Sequence, residues 1–138
     1  ECTCAMVILF AHRADCRRCY PAVLLHLSIH NNSDDAAAEG RDYTIRYGGG
    51  VGHGTAAKFL CPAPLAPLCS PEIAAVLQSP ADILKFTLLR SYRRDEWSAW
   101  MQAAGEHPPS PTHRVMVFDS SVPMLEAAQA GMGIAIAP

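Results

Sequence analysis

Three short apolar segments in the second half of the chain constrain its fold most strongly. They cover residues 86–90, 115–118 and 133–137, and their length suits buried strands. The residues between them follow helical periodicity, over 95–104 and 120–130. Because strands and helices that alternate at this length are typical of parallel sheets, the sequence predicts an α/β fold.

The 95–104 helix is predicted from the spacing of its apolar side chains. They recur at i, i+3, i+4 and i+7, and they are Trp97, Trp100, Met101 and Ala104. Gly105 ends the pattern. Because this spacing places the side chains on one helical face, we expect the tryptophans to belong to the core and not to an aromatic box that stacks on a ligand.

Prolines set the expectations for residues 63–78. Residues 63–69 contain two prolines, so they predict an extended connection at a sheet edge and not a central strand. Pro71 is expected to begin a helix that extends to Gln78, since the first turn of a helix does not need the N–H that proline lacks.

The first part of the chain also predicts alternating elements. Residues 5–19 indicate a half-buried helix that ends at Tyr20, because Pro21 restricts the residue before it. Residues 22–30 predict a strand with one apolar face, made of Val23, Leu25, Leu27 and Ile29. The remaining predicted elements are a turn at 31–35, a short helix at 36–39, a strand at 42–47 and a mobile loop at 48–54.

Length and charge exclude several classes of protein. A chain of 138 residues, half of them apolar, can bury a core of its own. Its formal net charge of -2 gives no basic surface for nucleic acid, so any DNA-binding part is expected elsewhere. The apolar run at 5–11 is too short to span a bilayer and follows no basic segment, so we expect a cytoplasmic location.

Six cysteines are many for a chain of this size, and four of them lie among the first nineteen residues. Cys2, Cys4, Cys16 and Cys19 have the ligand number of a tetrahedral zinc site. However, the Cys2-x-Cys4 spacer is tighter than usual, and Cys16 and Cys19 lie in a predicted helix. Reduced, partly buried thiols are therefore the favoured interpretation, and no metal or other cofactor is expected.

No catalytic arrangement of residues is evident in the sequence. The glycines at positions 50, 52 and 54 follow a predicted strand, yet no Gly-Lys-Ser/Thr completes a P-loop and the third glycine does not fit the dinucleotide-binding pattern. A nucleophile elbow of the form Gly-x-Ser-x-Gly is also missing, as is a helical pair of histidines. We therefore expect a binding protein and not an enzyme.

One segment carries a possible binding signature. Asp119, Ser120 and Ser121 join the carboxyl end of a predicted strand to the start of a helix. The unpaired N–H groups of such a helix start favour carboxylate or hydroxyl groups of a ligand, and Thr3 precedes the first predicted helix in the same way. Simple capping of the helix by a serine is the alternative, and the residues alone leave the two open.

Four segments together give the chain a family resemblance. They are Asp-Tyr-Thr-Ile-Arg-Tyr-Gly at 42–48, Pro-Leu-Ala-Pro-Leu-Cys-Ser-Pro at 64–71, Val-Phe-Asp-Ser-Ser at 117–121 and Gly-Met-Gly-Ile-Ala-Ile-Ala-Pro at 131–138. In this order and spacing they resemble the effector-binding domain of LysR-type transcriptional regulators. Residues 30–32, 87–97 and 101–111 narrow the resemblance to regulators of β-lactamase genes. It is dense from Pro21 onward and poor before that residue.

The resemblance implies a two-lobed α/β fold of the type-2 periplasmic-binding-protein class. The first lobe would be Glu1–Pro62, in part, and the second Ala63–Pro138, while the DNA-binding helix-turn-helix domain would be absent. The domain is expected to be truncated at both ends and marginally stable alone, since its strand edges would be uncovered. The whole protein would form homo-oligomers, bind promoter DNA through its amino-terminal domain and have no membrane partner.

The resemblance also implies an effector and a site. Regulators of this branch sense cell-wall muropeptides, either a UDP-MurNAc-peptide or an anhydro-muropeptide, and activate β-lactamase expression. The effector-binding residues it implies are Thr3, Asp35, Arg46, Ser120, Ser121 and Val122. A periplasmic-type solute-binding protein shares this fold and is the alternative, and a small redox protein that uses the clustered cysteines is a more distant one.

Overall fold

The computed structural model describes residues 10–27, 42–45, 47 and 56–138. By its contacts the chain divides into two compact units, Glu1–Pro62 and Ala63–Pro138. Helix α1, Arg13–Cys19, belongs to the first unit. The strands and the remaining helices in the described ranges all belong to the second.

Helix α1 confirms part of the prediction for residues 5–19. It ends at Cys19 with Tyr20 as its C-cap, and the N–H of Tyr20 donates to Cys16 O at 2.8 Å, in keeping with the proline that follows. The expectation that the helix is half-buried is wrong for the described residues, since none of its side chains is buried. A periodic apolar face becomes buried only where another element covers it.

The two strands predicted in the first unit are not formed by its described residues. Residues 22–27, 42–45 and 47 have no strand structure. Alternation selects a strand only where a neighbouring strand completes the backbone hydrogen bonds, and the sheet of the structure contains none of these residues. Val23, Leu24 and Leu25 are accordingly all exposed. Residues 28–41, 46 and 48–55 lie outside the described residues, with the turn, helix and loop predicted there.

A mixed four-stranded sheet organises the second unit. Its strands are β1 Ala66–Leu68, β2 Leu88–Arg90, β3 Val115–Val117 and β4 Ile134–Ala137, in the order β1-β4-β2-β3. Strand β2 is parallel to both β3 and β4, which confirms the predicted parallel pairing, while β1 is antiparallel to β4. The short β1 contains Pro67 and lies at the sheet edge, as the prolines predicted.

Four helical segments surround this sheet. They are α2 Pro71–Ala74, a 3₁₀ helix Pro80–Lys85, α3 Glu96–Ala103 and α4 Ser121–Gln129. The last two agree with the predicted helices to within one residue at each end. Within the described ranges, no helix is both long and apolar enough to cross a membrane.

Helix α2 is shorter than predicted because the chain turns into the 3₁₀ helix. Pro80 excludes helical geometry at Ser79, which is extended. The N–H groups of Gln78 and Ser79 then donate to Asp82 Oδ2 at 2.9 and 2.8 Å. The side chain of Lys85 and these N–H groups hold the pKa of the Asp82 carboxyl well below its usual range. The pattern Ser-Pro-x-Asp at 79–82 is the signal that sequence reasoning missed.

Two apolar clusters pack on the two faces of the sheet, because successive strand residues point to opposite sides. The cluster under α2, the 3₁₀ helix and α3 is formed by Ile73, Ile83, Leu88, Trp97, Ile134 and Ile136. The cluster under α4 is formed by Leu89, Met124, Ala127, Ala128, Ala135 and Ala137. The predicted core role of the tryptophans is confirmed for Trp97, and Trp100 packs against its ring edge-to-face at 6.2 Å.

Of Gly105, Gly131 and Gly133, Gly133 leaves the least room for a side chain, and its replacement tests the close approach of β4 to Thr87. A Cβ at Gly133 would lie 2.3 Å from the backbone oxygen of Thr87 and 3.1 Å from the Leu89 side chain. That oxygen accepts from Ile134 N at 3.0 Å, so it cannot move away without loss of the bond. We expect Gly133→Ala to lower the free energy of unfolding by about 3 kcal/mol or more, measured by urea denaturation.

Gly105→Ala is the matched control for this prediction. A Cβ at Gly105 meets nothing within 4 Å, but the residue has φ +78°. Its replacement should therefore cost only the left-handed conformation, about 1–2 kcal/mol. Equal losses of stability in the two variants would contradict the steric account of Gly133.

Candidate functional site

The turn between β3 and α4 lies at the carboxyl edge of the parallel strands. Strand β3 ends at Val117, and Phe118 N donates to Arg90 O at 3.0 Å, which continues the ladder with β2 by one bond. Helix α4 begins at Ser121. In open α/β sheets, ligands bind outside the carboxyl ends of the strands, so the geometry makes this turn the candidate site.

Ser120 is the N-cap of α4. Its backbone is extended, and its Oγ accepts from Val122 N at 3.4 Å. Ser120, Ser121 and Val122 are all half-buried, whereas Asp119 is exposed. The capping interpretation of the sequence pattern is therefore confirmed for Ser120, and it leaves open whether the same turn also binds a ligand.

The first turn of α4 suits a ligand that carries acceptor groups. It contains no acidic residue, so no carboxylate within the turn repels an anion from the positive end of the helix dipole, and the exposed Asp119 lies just before the N-cap. Pro123 has no N–H, and the N–H of Val122 faces the Ser120 hydroxyl. The groups that this turn offers a ligand are consequently the two serine hydroxyls and the positive end of the helix.

The turn after β2 lies at the same edge and carries a polar cluster that sequence reasoning did not select. Glu96 is buried, accepts from Ser91 Oγ at 3.3 Å and pairs with Arg93 at 3.9 Å. Arg90 Nη1 donates to Ser91 O at 2.9 Å. The available signal was the pair Arg93 and Arg94, which follows shortly after a buried strand and directly precedes the acidic start of a helix. Because Glu96 opens α3, its charge also stabilises the start of that helix.

The structure brings together three of the six residues predicted for the site. Ser120, Ser121 and Val122 share the β3–α4 turn. Thr3, Asp35 and Arg46 lie outside the described residues, so their assignment stays a prediction.

The described cysteines are free. Cys16, Cys19 and Cys61 are exposed and Cys69 is half-buried, where burial raises the pKa of its thiol. No group of three His, Cys, Asp or Glu side chains in the described ranges is arranged to hold a metal ion. Cys2 and Cys4 lie outside these ranges.

Comparisons with known proteins agree with this architecture. The chain is 76% identical over 136 residues to the HTH-type transcriptional activator AmpR of Enterobacter cloacae, covering 99% of the chain and 47% of that protein. It is 68% identical over 136 residues to AmpR of Citrobacter freundii, with the same coverage of both chains. A carbapenem-hydrolyzing beta-lactamase transcriptional activator of Serratia marcescens is 41% identical over 119 residues, covering 86% of the chain and 40% of that protein. The chain thus spans about half the length of the curated relatives it matches.

Solved structures extend the likeness to the fold. The AmpR effector binding domain from Citrobacter freundii superposes with a TM-score of 0.88 at 67% identity, covering 99% of this chain and 68% of that one. A variant of the Citrobacter freundii domain, in which a threonine, a serine and a tyrosine are replaced by valine, alanine and phenylalanine, gives a TM-score of 0.88 at 66% identity, covering 98% and 68%.

These likenesses assign the fold and the family. The chain has the α/β, type-2 periplasmic-binding-protein-like fold of the AmpR effector domains, and the family model of the LysR substrate binding domain matches residues 2–138. The chain therefore belongs to the LysR substrate-binding domain family.

Proposed function

We propose that the chain is the effector-sensing part of a LysR-family transcriptional regulator that binds cell-wall muropeptides and controls β-lactamase gene expression. The observation that carries this proposal is the 76% identity to a transcriptional activator over nearly the whole chain. The β-lactamase gene as target is supported by the relative from Serratia marcescens, which is named for activating such an enzyme.

The chemistry of the β3–α4 turn supports an effector with carboxylate and hydroxyl groups. A UDP-MurNAc-peptide or an anhydro-muropeptide carries both. The serine hydroxyls can donate to a carboxylate, and the positive end of the α4 dipole attracts it, without a buried cation. No acidic side chain within the first turn opposes it. In this proposal the chain binds the effector and does not change it chemically, so no cofactor is needed.

Regulation needs more than binding. An effector shifts a regulator between two conformations only if it binds them with different affinities. In this proposal a UDP-MurNAc-peptide favours the repressing conformation, and an anhydro-muropeptide favours the activating one. Promoter DNA is bound by an amino-terminal helix-turn-helix domain, in a cytoplasmic homo-oligomer.

The residues that we propose to bind the effector are Thr3 and Ser121, and with less direct roles Ser120, Val122 and Arg46. Thr3 is assigned from the family resemblance, and Ser121 also from its position at the start of α4. The solved variant of the Citrobacter freundii domain lacks three hydroxyl groups, one for each of its substitutions.

Thr3→Val and Ser121→Ala test the site in the full-length regulator. Each substitution removes a hydroxyl that we expect to bond the effector. The binding free energy should weaken by about 1 kcal/mol, or up to about 3 if the partner is a carboxylate, which is a loss of roughly 5- to 150-fold in affinity. Isothermal titration with a UDP-MurNAc-peptide measures it.

Ser98→Ala is the matched control, because Ser98 is an exposed serine within α3. It should leave the affinity unchanged. If Thr3→Val and Ser121→Ala also leave the affinity unchanged while circular dichroism shows an intact fold, the effector binds elsewhere.

Substitutions of Ser120 test its role as the N-cap of α4 independently of effector binding. Ser120→Ala removes the acceptor for Val122 N and should lower the free energy of unfolding by about 1 kcal/mol. Ser120→Asp supplies another capping oxygen and should restore most of that stability. Thermal melts of the two variants without effector measure the difference. Equal melting temperatures for wild type and Ser120→Ala would show that the cap contributes nothing.

Asp35 is proposed to stabilise the uninduced conformation. Changing it to Asn or Tyr in the full-length regulator should therefore shift the population towards activation without inducer. A reporter gene behind the β-lactamase promoter measures this as raised basal expression. A reporter that stays silent without inducer in both variants, at normal protein levels, would contradict the assignment.

A further inference from the structure

Helix α1 carries two thiols that the proposed function does not use. Cys16 and Cys19 are both free and exposed. The helix is regular across the pair, since Cys16 N donates to His12 O at 2.9 Å and Tyr20 N donates to Cys16 O at 2.8 Å. Residues three positions apart on such a helix are surface neighbours. The two thiols therefore face solvent side by side.

The spacing of the two cysteines on the helix suits an ion held between them better than a direct disulfide bond. Neighbours at i and i+3 have Cβ atoms about 5–6 Å apart, whereas a disulfide requires about 3.5–4.5 Å. Direct bonding of Cys16 to Cys19 would thus unwind the last turn of α1. A third atom bonded to both sulfurs spans a wider gap than a direct sulfur–sulfur bond does, so it does not require the two Cβ atoms to come this close.

The number of donors selects the kind of ion. Within the described ranges no third His, Cys, Asp or Glu joins the pair in a metal-binding group, so these residues do not form the closed tetrahedral set that structural zinc requires. The nearby carboxylate of Asp15 is engaged with Arg18 at 2.9 Å. What remains is two soft sulfur ligands, which prefer soft metals and metalloids.

The helix that carries the pair is basic. Arg13, Arg17 and Arg18 all belong to α1. Two sulfur ligands bring up to two negative charges to the helix, and nearby guanidinium groups offset them by Coulomb attraction. Because the helix side chains are exposed, an ion from solvent reaches both sulfurs without any rearrangement of the core.

We propose that Cys16 and Cys19 form a two-thiol chelating site for soft, thiophilic ions, of which trivalent arsenic is the representative class. With phenylarsine oxide as probe, two arsenic–sulfur bonds form, and the arsenic-bound oxygen leaves as water with the two thiol protons. No atom is oxidised or reduced. The phenyl group occupies the third position on arsenic.

The test measures which cysteines phenylarsine oxide protects in the full chain. After treatment, free thiols are alkylated with iodoacetamide and mapped by mass spectrometry. Cys16 and Cys19 should be protected together, with one arsenic per chain at the pair, while Cys61 remains reactive. Cys16→Ser and Cys19→Ser should each lose at least about 100-fold in affinity, because the chelate becomes a single bond.

A variant that moves one of the two thiols along α1 tests whether binding depends on their spacing in the sequence. Cys19→Ser combined with Arg18→Cys keeps two exposed thiols on α1 but places them at i and i+2, which do not face each other. It should bind as weakly as the single substitutions. Cys2→Ser with Cys4→Ser should leave protection of Cys16 and Cys19 unchanged. Wild-type affinity in the moved-thiol variant, or loss of protection without Cys2 and Cys4, would overturn the proposal.

Discussion

The ladder that β2 forms with β3 on one side and β4 on the other holds the second unit together. Leu88 and Leu89 are both completely buried and point to opposite faces, so each is part of a separate apolar cluster. Trp97 Nε1 donates to Leu89 O at 3.2 Å, which fixes α3 to the same strand. Both layers of helices therefore depend on a strand of three residues, and a change there affects two packing interfaces at once.

This ladder also fixes the candidate site. The bond from Phe118 N to Arg90 O determines where β3 leaves the sheet, and hence where Ser120 begins α4. On the other side of the turn, Met124 and Ala128 anchor α4 under the sheet. A serine at such a position needs no long side chain to reach a ligand, because the sheet edge and the helix place it. The site thus offers only short hydroxyl side chains, and the fold determines where they lie.

The sequence predicts an element correctly where the pattern that indicates it lies within the element itself. The elements at 88–137 were predicted because apolar spacing within one segment, as in Trp97 and Met101, reflects burial directly. Helix α2 was predicted too long because Asp82, four residues beyond Gln78, redirects the chain. The strand predicted at 22–30 is wrong for its described residues, 22–27, because strand formation depends on a partner distant in sequence. Of the site, Ser120 and Thr3 were both selected from a local pattern, a hydroxyl before a helix, whereas Asp35 and Arg46 rested on family resemblance.

The position of the β3–α4 turn has a consequence for signalling in the proposed regulator. A ligand bound at the start of α4 acts on a helix whose buried face is small, made of Met124, Ala127 and Ala128. Alanine side chains interlock less with their neighbours than larger ones do, so fewer contacts oppose a small shift of α4 along the sheet. The opposite layer, which contains Trp97 and Ile83, is bulkier. The helix that an effector at this turn would meet is therefore held by smaller buried side chains than α3 is.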